Sequence, residues 1–236
     1  MPLSNHITDV FFDLDRTLWD FEKNSKETLW ELFYEYELPH YGIPDFEEFY
    51  KVYLRVNEEC WELYRQDKIS KKFLRSQRFY LTFQEFEIMN RSLSQRIGEE
   101  YIDKSPMKRS LIEGTLEVLD YLHANYKLHI ITNGFEEVQF TKINNTGIRT
   151  FFDKIITSER AECRKPNPKI FQFATQLAKT KAENSIMIGD DFAIDAKGAL
   201  NAGFAAGFWF EPSLEKEKEL QDVIHIRELS ELKSYL

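Results

Sequence analysis

Cysteine is scarce in this sequence, and long apolar runs are missing. Only Cys60 and Cys163 occur among the 236 residues, which excludes a disulfide framework and indicates a reducing compartment or indifference to redox state. No apolar run approaches the roughly 20 residues that span a bilayer. The first residues also lack the basic start and long apolar stretch of a secretory signal. We therefore expect a soluble, cytoplasmic protein without a membrane partner.

An excess of basic residues is also missing. The chain has 31 Lys and Arg against 40 Asp and Glu, which gives a formal net charge of −9. This balance argues against a surface that follows nucleic-acid phosphates, so no nucleic-acid partner is expected. The histidines show no metal-ligand spacing, and we expect them to be ordinary surface or edge residues. Hydrophobic residues make up 42% of the chain, which is enough to form the core of one large or two small domains.

Short apolar segments separated by helix-length intervals predict a parallel sheet covered on both faces. The predicted strands cover residues 7–12, 128–131, 154–157, 185–188 and 204–210, and periodic stretches predict helices at 111–123, 168–178 and 194–202. The last segment, DVIHIRELSELKSYL, is expected to add an edge strand and a terminal helix. The predicted fold class is therefore α/β, with a Rossmann-like doubly wound parallel sheet.

The interval between the first two predicted strands has a different composition. It is rich in aromatic and charged residues that recur at helical spacing, as in DFEEFYKVYLRVNEECWELYRQ. We expect this interval to form an all-helical domain that is inserted into the α/β domain. The aromatic residues of the interval should form the core of the helical domain. The predicted domains are residues 1–18 plus 105–236, and residues 19–104.

Polar side chains follow four of the predicted strands. They are Asp13, Asp15, Thr132, Asn133, Lys165, Asp190, Asp191 and Asp195. Ligands of doubly wound sheets bind beyond the carboxyl ends of the strands, so we expect these side chains to line one crevice. Aspartates in a turn can also serve local backbone hydrogen bonds alone. Acids, a hydroxyl and a cation at four separate strand ends favour a functional site over that structural explanation.

Two acids with a hydroxyl and a cation suit phosphoryl transfer through a covalent aspartyl phosphate. A carboxylate nucleophile divides the reaction into two steps. A second carboxylic acid can protonate the leaving alkoxide and then activate the hydrolytic water. The excess of acids needs a cation, and Mg²⁺ suits it because this ion prefers carboxylate, water and phosphate oxygens. Thr132 and Lys165 would then stabilise the equatorial oxygens of the phosphate.

Four motifs, in order, resemble those of the haloacid dehalogenase-like hydrolases. FFDLDRTL resembles the first motif, ITNG the second, RKPNPKIF the third and IGDDFAID the fourth, and together they span nearly the whole chain. The resemblance implies a Rossmann-like catalytic core, residues 1–18 plus 105–236, and places the chain in the group with a helical cap, residues 19–104.

The resemblance also implies the chemical role of each matching acid. Asp13 would be the nucleophile, and Asp15 the general acid and base. Mg²⁺ would be held by the Asp13 carboxylate, the Asp15 carbonyl and Asp190.

Further roles follow from the same resemblance. Thr132 and Lys165 would bind the transferring phosphate, with Asn133 assisting. Asp195 would orient Lys165 or a metal-bound water, and Thr17 would shape the first loop.

Three positions depart from the usual pattern of this family. Asp191 stands where relatives often carry Ser or Thr, and only a supporting role is expected for it. Arg16 occupies a variable position, where it either adds phosphate affinity or points to solvent or a cap carboxylate. Glu162 stands where many relatives have glycine, so the loop that carries Lys165 is open to a different path.

Segments that continue from two of the motifs, and one segment between them, resemble the pyrimidine 5'-nucleotidase-like subfamily. They are DRTLWDFEKN, YRQDKISKKFLRSQRF and TNGFEEVQFTKINNTGI, the last of which contains Gln139 and Lys142. The resemblance implies a phosphatase of nucleoside 5'-monophosphates. Asp15 argues against carbon–halogen hydrolases of the superfamily, which lack the second acid. A sugar-phosphate phosphatase, a phosphomutase and an inactive phosphate-binding regulatory protein remain alternatives.

Overall fold

The computed structural model describes residues 6–214 and 222–236. The chain divides into two compact units: the sheet unit, made of Met1–Phe21 and Arg109–Leu236, and the helical unit, Glu22–Lys108. Their assignment as catalytic core and cap stays a prediction. Within the described residues, no helix combines the length and the apolar character needed to cross a membrane.

Four α-helices build the helical unit. They are α1 (Phe21–Glu35), whose first residue still belongs to the sheet unit, α2 (Phe46–Arg65), α3 (Lys71–Gln84) and α4 (Arg91–Lys104). Side chains fix the starts of the last three, because Asp45, Ser70 and Asn90 each accept a hydrogen bond of 3.0 to 3.1 Å from the backbone N–H three residues later.

The core of the helical unit is aromatic, as its composition predicts. Phe33, Phe49, Phe79 and Phe83 belong to one buried cluster and are at most 1% exposed. Trp30 is an exception, because 52% of its surface is exposed.

The sheet unit contains a six-stranded parallel sheet. Its strands are β1 (Asp9–Phe12), β2 (Lys127–Thr132), β3 (Phe152–Thr157), β4 (Ser185–Gly189), β5 (Ala206–Phe210) and β6 (Val223–Ile226). Their spatial order is β3-β2-β1-β4-β5-β6, so the order reverses between β1 and β4. The five predicted strands and the additional edge strand are confirmed, and so is the Rossmann-like α/β class.

Both faces of this sheet are buried. Four helices of the unit are α5 (Thr115–His123), α6 (Glu136–Asn145), α7 (Pro168–Ala178) and α8 (Lys197–Asn201). Along β1, Val10 and Phe12 belong to one apolar cluster, whereas Phe11 between them belongs to another. All three are fully buried, which is typical of a central strand in a parallel sheet.

The helix at 168–178 is confirmed, but three other helix predictions were imprecise. The helix predicted at 111–123 begins at Thr115, because Gly114 before it has a left-handed φ of 78°. The helix predicted at 194–202 begins as a π-helical turn, Phe192–Ala196, and continues as α8. The terminal helix is a 3-10 helix, Leu229–Ser234.

His129 lies inside the sheet unit, so the expectation of an ordinary surface or edge histidine is wrong for this residue. It belongs to β2, which lies between β1 and β3, and it is fully buried. Its Nε2 atom is 2.8 Å from Oδ1 of Asp9, so the buried carboxylate has a partner. Among the described residues, the other ring nitrogen, Nδ1, has none. Although burial opposes it, the hydrogen bond with His129 lowers the pKa of Asp9.

Candidate active site

The carboxyl ends of β1 and β4 lie side by side and bring two of the predicted acids together. Asp13 directly follows β1, and its backbone N–H donates to the carbonyl of Ile188 in β4 at 2.8 Å. Asp190 directly follows β4, and the indole N–H of Trp209 in β5 donates to its carbonyl at 2.8 Å. Contacts with a neighbouring strand, through its backbone for Asp13 and through a side chain for Asp190, therefore position both acids.

The ammonium group of Lys165 lies between two carboxylates. Its Nζ atom donates to Oδ1 of Asp13 at 2.5 Å and to Oδ1 of Asp195 at 2.6 Å. All three residues are buried. Although burial opposes it, the charges of Asp13 and Asp195 raise the pKa of Lys165 above its usual range. The lysine is therefore a fixed cation at this edge of the sheet.

Asp195 reaches the lysine because position 189 has no side chain. A Cβ atom on Gly189 would overlap the carboxyl group of Asp195. The other oxygen of this group, Oδ2, accepts a hydrogen bond of 3.1 Å from the backbone N–H of Asp191. The glycine of the GDD sequence is thus required by the close approach of an acid.

The carboxylates outnumber the lysine, and this changes their affinity for protons. Burial raises the pKa of Asp13 to about 7 against the attraction of Lys165, and the charge of Asp195 adds to the rise. Burial, with the charges of Asp13 and Asp195, raises the pKa of Asp190 well above its usual range. Burial raises the pKa of Asp195 as well, against the attraction of Lys165. The cluster is short of positive charge.

A divalent cation would supply the missing charge. Carboxylate oxygens of Asp13, Asp190 and Asp195 lie within 4.8 Å of one another, and oxygen donors of this kind suit a hard ion such as Mg²⁺. Because both oxygens of Asp195 already accept hydrogen bonds, Asp13 and Asp190 are the better ligands of the three. The donor set therefore fits the cation that the sequence predicts.

Asn133 binds the backbone of Lys165 through its side-chain amide. Its Nδ2 donates to the Lys165 carbonyl at 3.0 Å, and its Oδ1 accepts from the Lys165 N–H at 2.9 Å. The neighbouring Thr132 is 2% exposed, and its hydroxyl accepts from the N–H of Gly134 at 3.1 Å. Asn133 thus contacts the loop that carries the cation, whereas Thr132 ends β2 beside it.

Two residues of α6 hold the carboxyl group of Asp15, and the sequence prediction gave them no role in the site. Nζ of Lys142 is 2.5 Å from Oδ1, and Nε2 of Gln139 donates to Oδ2 at 2.9 Å. The sequence contains a sign that these two residues act together, because residues three apart on a helix lie on the same face. Both residues also follow the ITNG motif closely.

Thr17 and Asp191 are the two remaining residues of the predicted site. Thr17 is fully buried, and among the described residues its hydroxyl has no hydrogen-bond partner. Asp191 accepts hydrogen bonds of 2.9 Å from the backbone N–H groups of Ala193 and Ile194. Its carboxylate therefore caps the π-helical turn that carries Asp195.

Arg16 and Glu162 both have left-handed backbone conformations. Arg16 has a φ of 63°, and its guanidinium lies over the ring of Phe21 at 4.4 Å. Glu162 has a φ of 53°, a conformation that glycine adopts without steric cost. The glutamate at this position does not prevent Lys165 from reaching Asp13.

The parallel sheet, with acids and a lysine at its carboxyl edge, defines an enzyme of the Rossmann-like α/β class. The family model described as haloacid dehalogenase-like hydrolase matches residues 10–207. The chain therefore belongs to the haloacid dehalogenase-like hydrolases, and the resemblance predicted from its motifs is confirmed.

Three known proteins are similar to it along nearly their whole length. Pyrimidine 5'-nucleotidase YjjG of Escherichia coli (strain K12) is 28% identical over 228 residues, 96% of each chain. Glyceraldehyde 3-phosphate phosphatase of Methanothermobacter thermautotrophicus is 28% identical over 247 residues, 96% of this chain and 98% of that protein. The magnesium-bound crystal structure of HAD-hydrolase YfnB from Bacillus subtilis superposes with a TM-score of 0.86 and 24% identity over 97% of both chains, which shows the shared fold.

Proposed function

We propose that this protein is a Mg²⁺-dependent phosphomonoester hydrolase that forms an aspartyl phosphate on Asp13. The observation that carries the proposal is the Asp13 carboxylate at the end of β1, paired with the buried ammonium of Lys165 and next to Asp190. A nucleophile, a cation for phosphate and a metal-binding acid are the parts that this reaction needs.

In the first step, an Asp13 oxygen attacks phosphorus and the bond from phosphorus to the leaving oxygen breaks. Asp15, in its protonated form, gives its proton to that oxygen. In the second step, Asp15 takes a proton from water while the water oxygen attacks phosphorus. Inorganic phosphate leaves, and the Asp13 carboxylate is restored.

The remaining polar groups stabilise the phosphate. Lys165 and the Thr132 hydroxyl would bind its equatorial oxygens, and Asn133 would assist by fixing the backbone of Lys165. The Asp13 carboxylate, the Asp15 carbonyl and Asp190 would hold Mg²⁺, which neutralises charge between the phosphate and the acids when bound. Asp195 would orient Lys165.

We propose nucleoside 5'-monophosphates, pyrimidine ones above all, as substrates. The similarity to a pyrimidine 5'-nucleotidase over 96% of both chains supports this choice. The equal identity to glyceraldehyde 3-phosphate phosphatase favours a sugar-phosphate substrate as the second candidate.

Phosphate release from nucleoside monophosphates and sugar phosphates tests both candidates. The wild type and Asp13→Asn are compared with and without Mg²⁺. Asp153→Asn, which changes an exposed aspartate of the same unit, is the matched control. We expect metal-dependent release that is lost only in Asp13→Asn and is fastest on pyrimidine monophosphates.

Other outcomes separate the alternatives. A preference for sugar phosphates would keep the mechanism and replace the substrate, and an isomer formed without free phosphate would identify a phosphomutase. Binding of phosphate and Mg²⁺ without turnover of any substrate would contradict an enzymatic function and favour a regulatory protein.

A further inference from the structure

Helix α6 presents two polar side chains to the acid that follows the proposed nucleophile. Lys142 is 4% exposed and Gln139 is 1% exposed, so neither is a solvated surface residue. The two residues each donate to a different oxygen of the Asp15 carboxyl group, at 2.5 and 2.9 Å. A carboxyl group held at both oxygens has little freedom to rotate.

The surroundings of Lys142 keep its ammonium group beside Asp15. Its Nζ atom lies 4.0 Å from the centre of the Trp19 ring, and Trp19 is fully buried. A cation over an indole face is attracted by the ring. A buried ammonium also needs hydrogen-bond acceptors, and Oδ1 of Asp15 supplies one. The lysine and the acid therefore fix each other.

Gln139 connects Asp15 with the loop after β2. Its Nε2 donates to Asp15, and its Oε1 accepts from the hydroxyl of Thr132 at 3.3 Å. The Gln139 amide lies so close to Gly134 that a Cβ atom at this position would overlap it. The orientation of Gln139 is therefore set at both ends.

We propose that Lys142 and Gln139 are positioning residues that hold the Asp15 carboxyl group in the orientation for proton transfer to the leaving group. The proposal rests on the proposed phosphatase function. Each carboxyl oxygen has more than one lone pair, so an oxygen that accepts a hydrogen bond still has a site for the proton. Proton transfer requires the acid to be within hydrogen-bond reach of the leaving oxygen, so free rotation of Asp15 would slow it.

The dependence of the rate on the leaving group tests this proposal. For a series of aryl phosphates, kcat/KM reports the step in which the phenol leaves. A phenyl leaving group needs a proton from Asp15, whereas a dinitrophenyl group leaves without one. We expect Lys142→Met to lower kcat/KM about 10²-fold for phenyl phosphate and less than about threefold for dinitrophenyl phosphate.

Three further variants make the test specific. Asp15→Asn should show the same selective loss, because it removes the acid itself. Lys142→Arg keeps a donor and a charge, and should regain most of the phenyl phosphate activity. Lys154→Met makes the same substitution at a lysine that pairs with the adjacent, exposed Asp153, and should behave as the wild type.

If Lys142→Met fails to fold, the leaving-group dependence of kcat/KM in Gln139→Met tests the same proposal independently. We expect the same steeper dependence on the leaving group, with a smaller amplitude. An equal loss for all aryl phosphates, or no loss, in the folded variants would overturn the positioning role while leaving the phosphatase function intact. A wild type without hydrolysis of any aryl phosphate, nucleotide or sugar phosphate would overturn the proposed function, and this proposal with it.

Discussion

The side-chain amide of Asn133 exchanges two hydrogen bonds with the backbone of Lys165, one through its Nδ2 and one through its Oδ1. This pairing ties the loop after β2 to the loop that carries the cation. The amide therefore fixes the backbone of the residue whose ammonium group contacts Asp13.

Replacing Asn133 should affect stability and activity together. Asn133→Ala leaves the N–H and the carbonyl of Lys165 without their partner, so we expect the free energy of unfolding to fall by about 1–3 kcal/mol. Phosphatase activity should fall as well, because Lys165 loses its fixed position. Urea unfolding and phosphate release measure the two effects. Asn201→Ala, at an exposed position at the end of α8, should change neither.

The protonation of Asp13 should couple stability to pH in metal-free protein. Its pKa is about 7 in the folded state against an ordinary value of 3.8. Between these values the folded state keeps a proton that the unfolded chain has lost, so this group lowers the free energy of unfolding as the pH rises. Asp13→Asn cannot titrate, so its stability relative to the wild type should rise from about pH 4 to about pH 7.

Unfolding in EDTA at several pH values measures this difference. Saturating Mg²⁺ should stabilise the wild type most at the high end of the range, because the ion binds the deprotonated carboxylate. A difference between wild type and variant that stays constant over the whole range would contradict the raised pKa.

The glycine beside Asp195 gives a test that leaves every polar residue in place. Gly189→Ala should displace the Asp195 carboxyl group and weaken its contact with Lys165. We expect a loss of activity on the order of that of Asp195→Asn. The double variant should lose no more than either single one, since both act on the same contact. Additive losses would show that the glycine acts elsewhere.

The start of α3 provides a prediction for the helical unit. Ser70 accepts a hydrogen bond of 3.1 Å from the N–H of Phe73 at the first turn of the helix. Ser70→Ala should lower the free energy of unfolding by about 1 kcal/mol, because that N–H loses its acceptor. Ser76→Ala, in the interior of the same helix, should be neutral or slightly stabilising, since alanine is the better helix former. Chemical denaturation of both variants checks the pair.

The strands and their polar ends were predictable because buried parallel strands have short apolar runs that stop at the site. The contacts of Asp15 were not, although Gln139 and Lys142 were noticed in the sequence. Which residue a helix face meets depends on how α6 lies across the sheet, and spacing along the chain does not contain that information. His129 was misjudged for the same reason, because its partner Asp9 lies in the adjacent strand.

The pairing of β1 with both β2 and β4 has a consequence for synthesis on the ribosome. Residues 9–12 emerge first, but their partners in the sheet are residues 127–130 and 185–188. The helical unit, by contrast, is one continuous stretch of chain. We expect the helical unit to fold before β1 can pair with β2 and β4, since local contacts form before distant ones. Nascent chains arrested before residue 185 lack β4 and the acids beyond it, and should therefore be inactive.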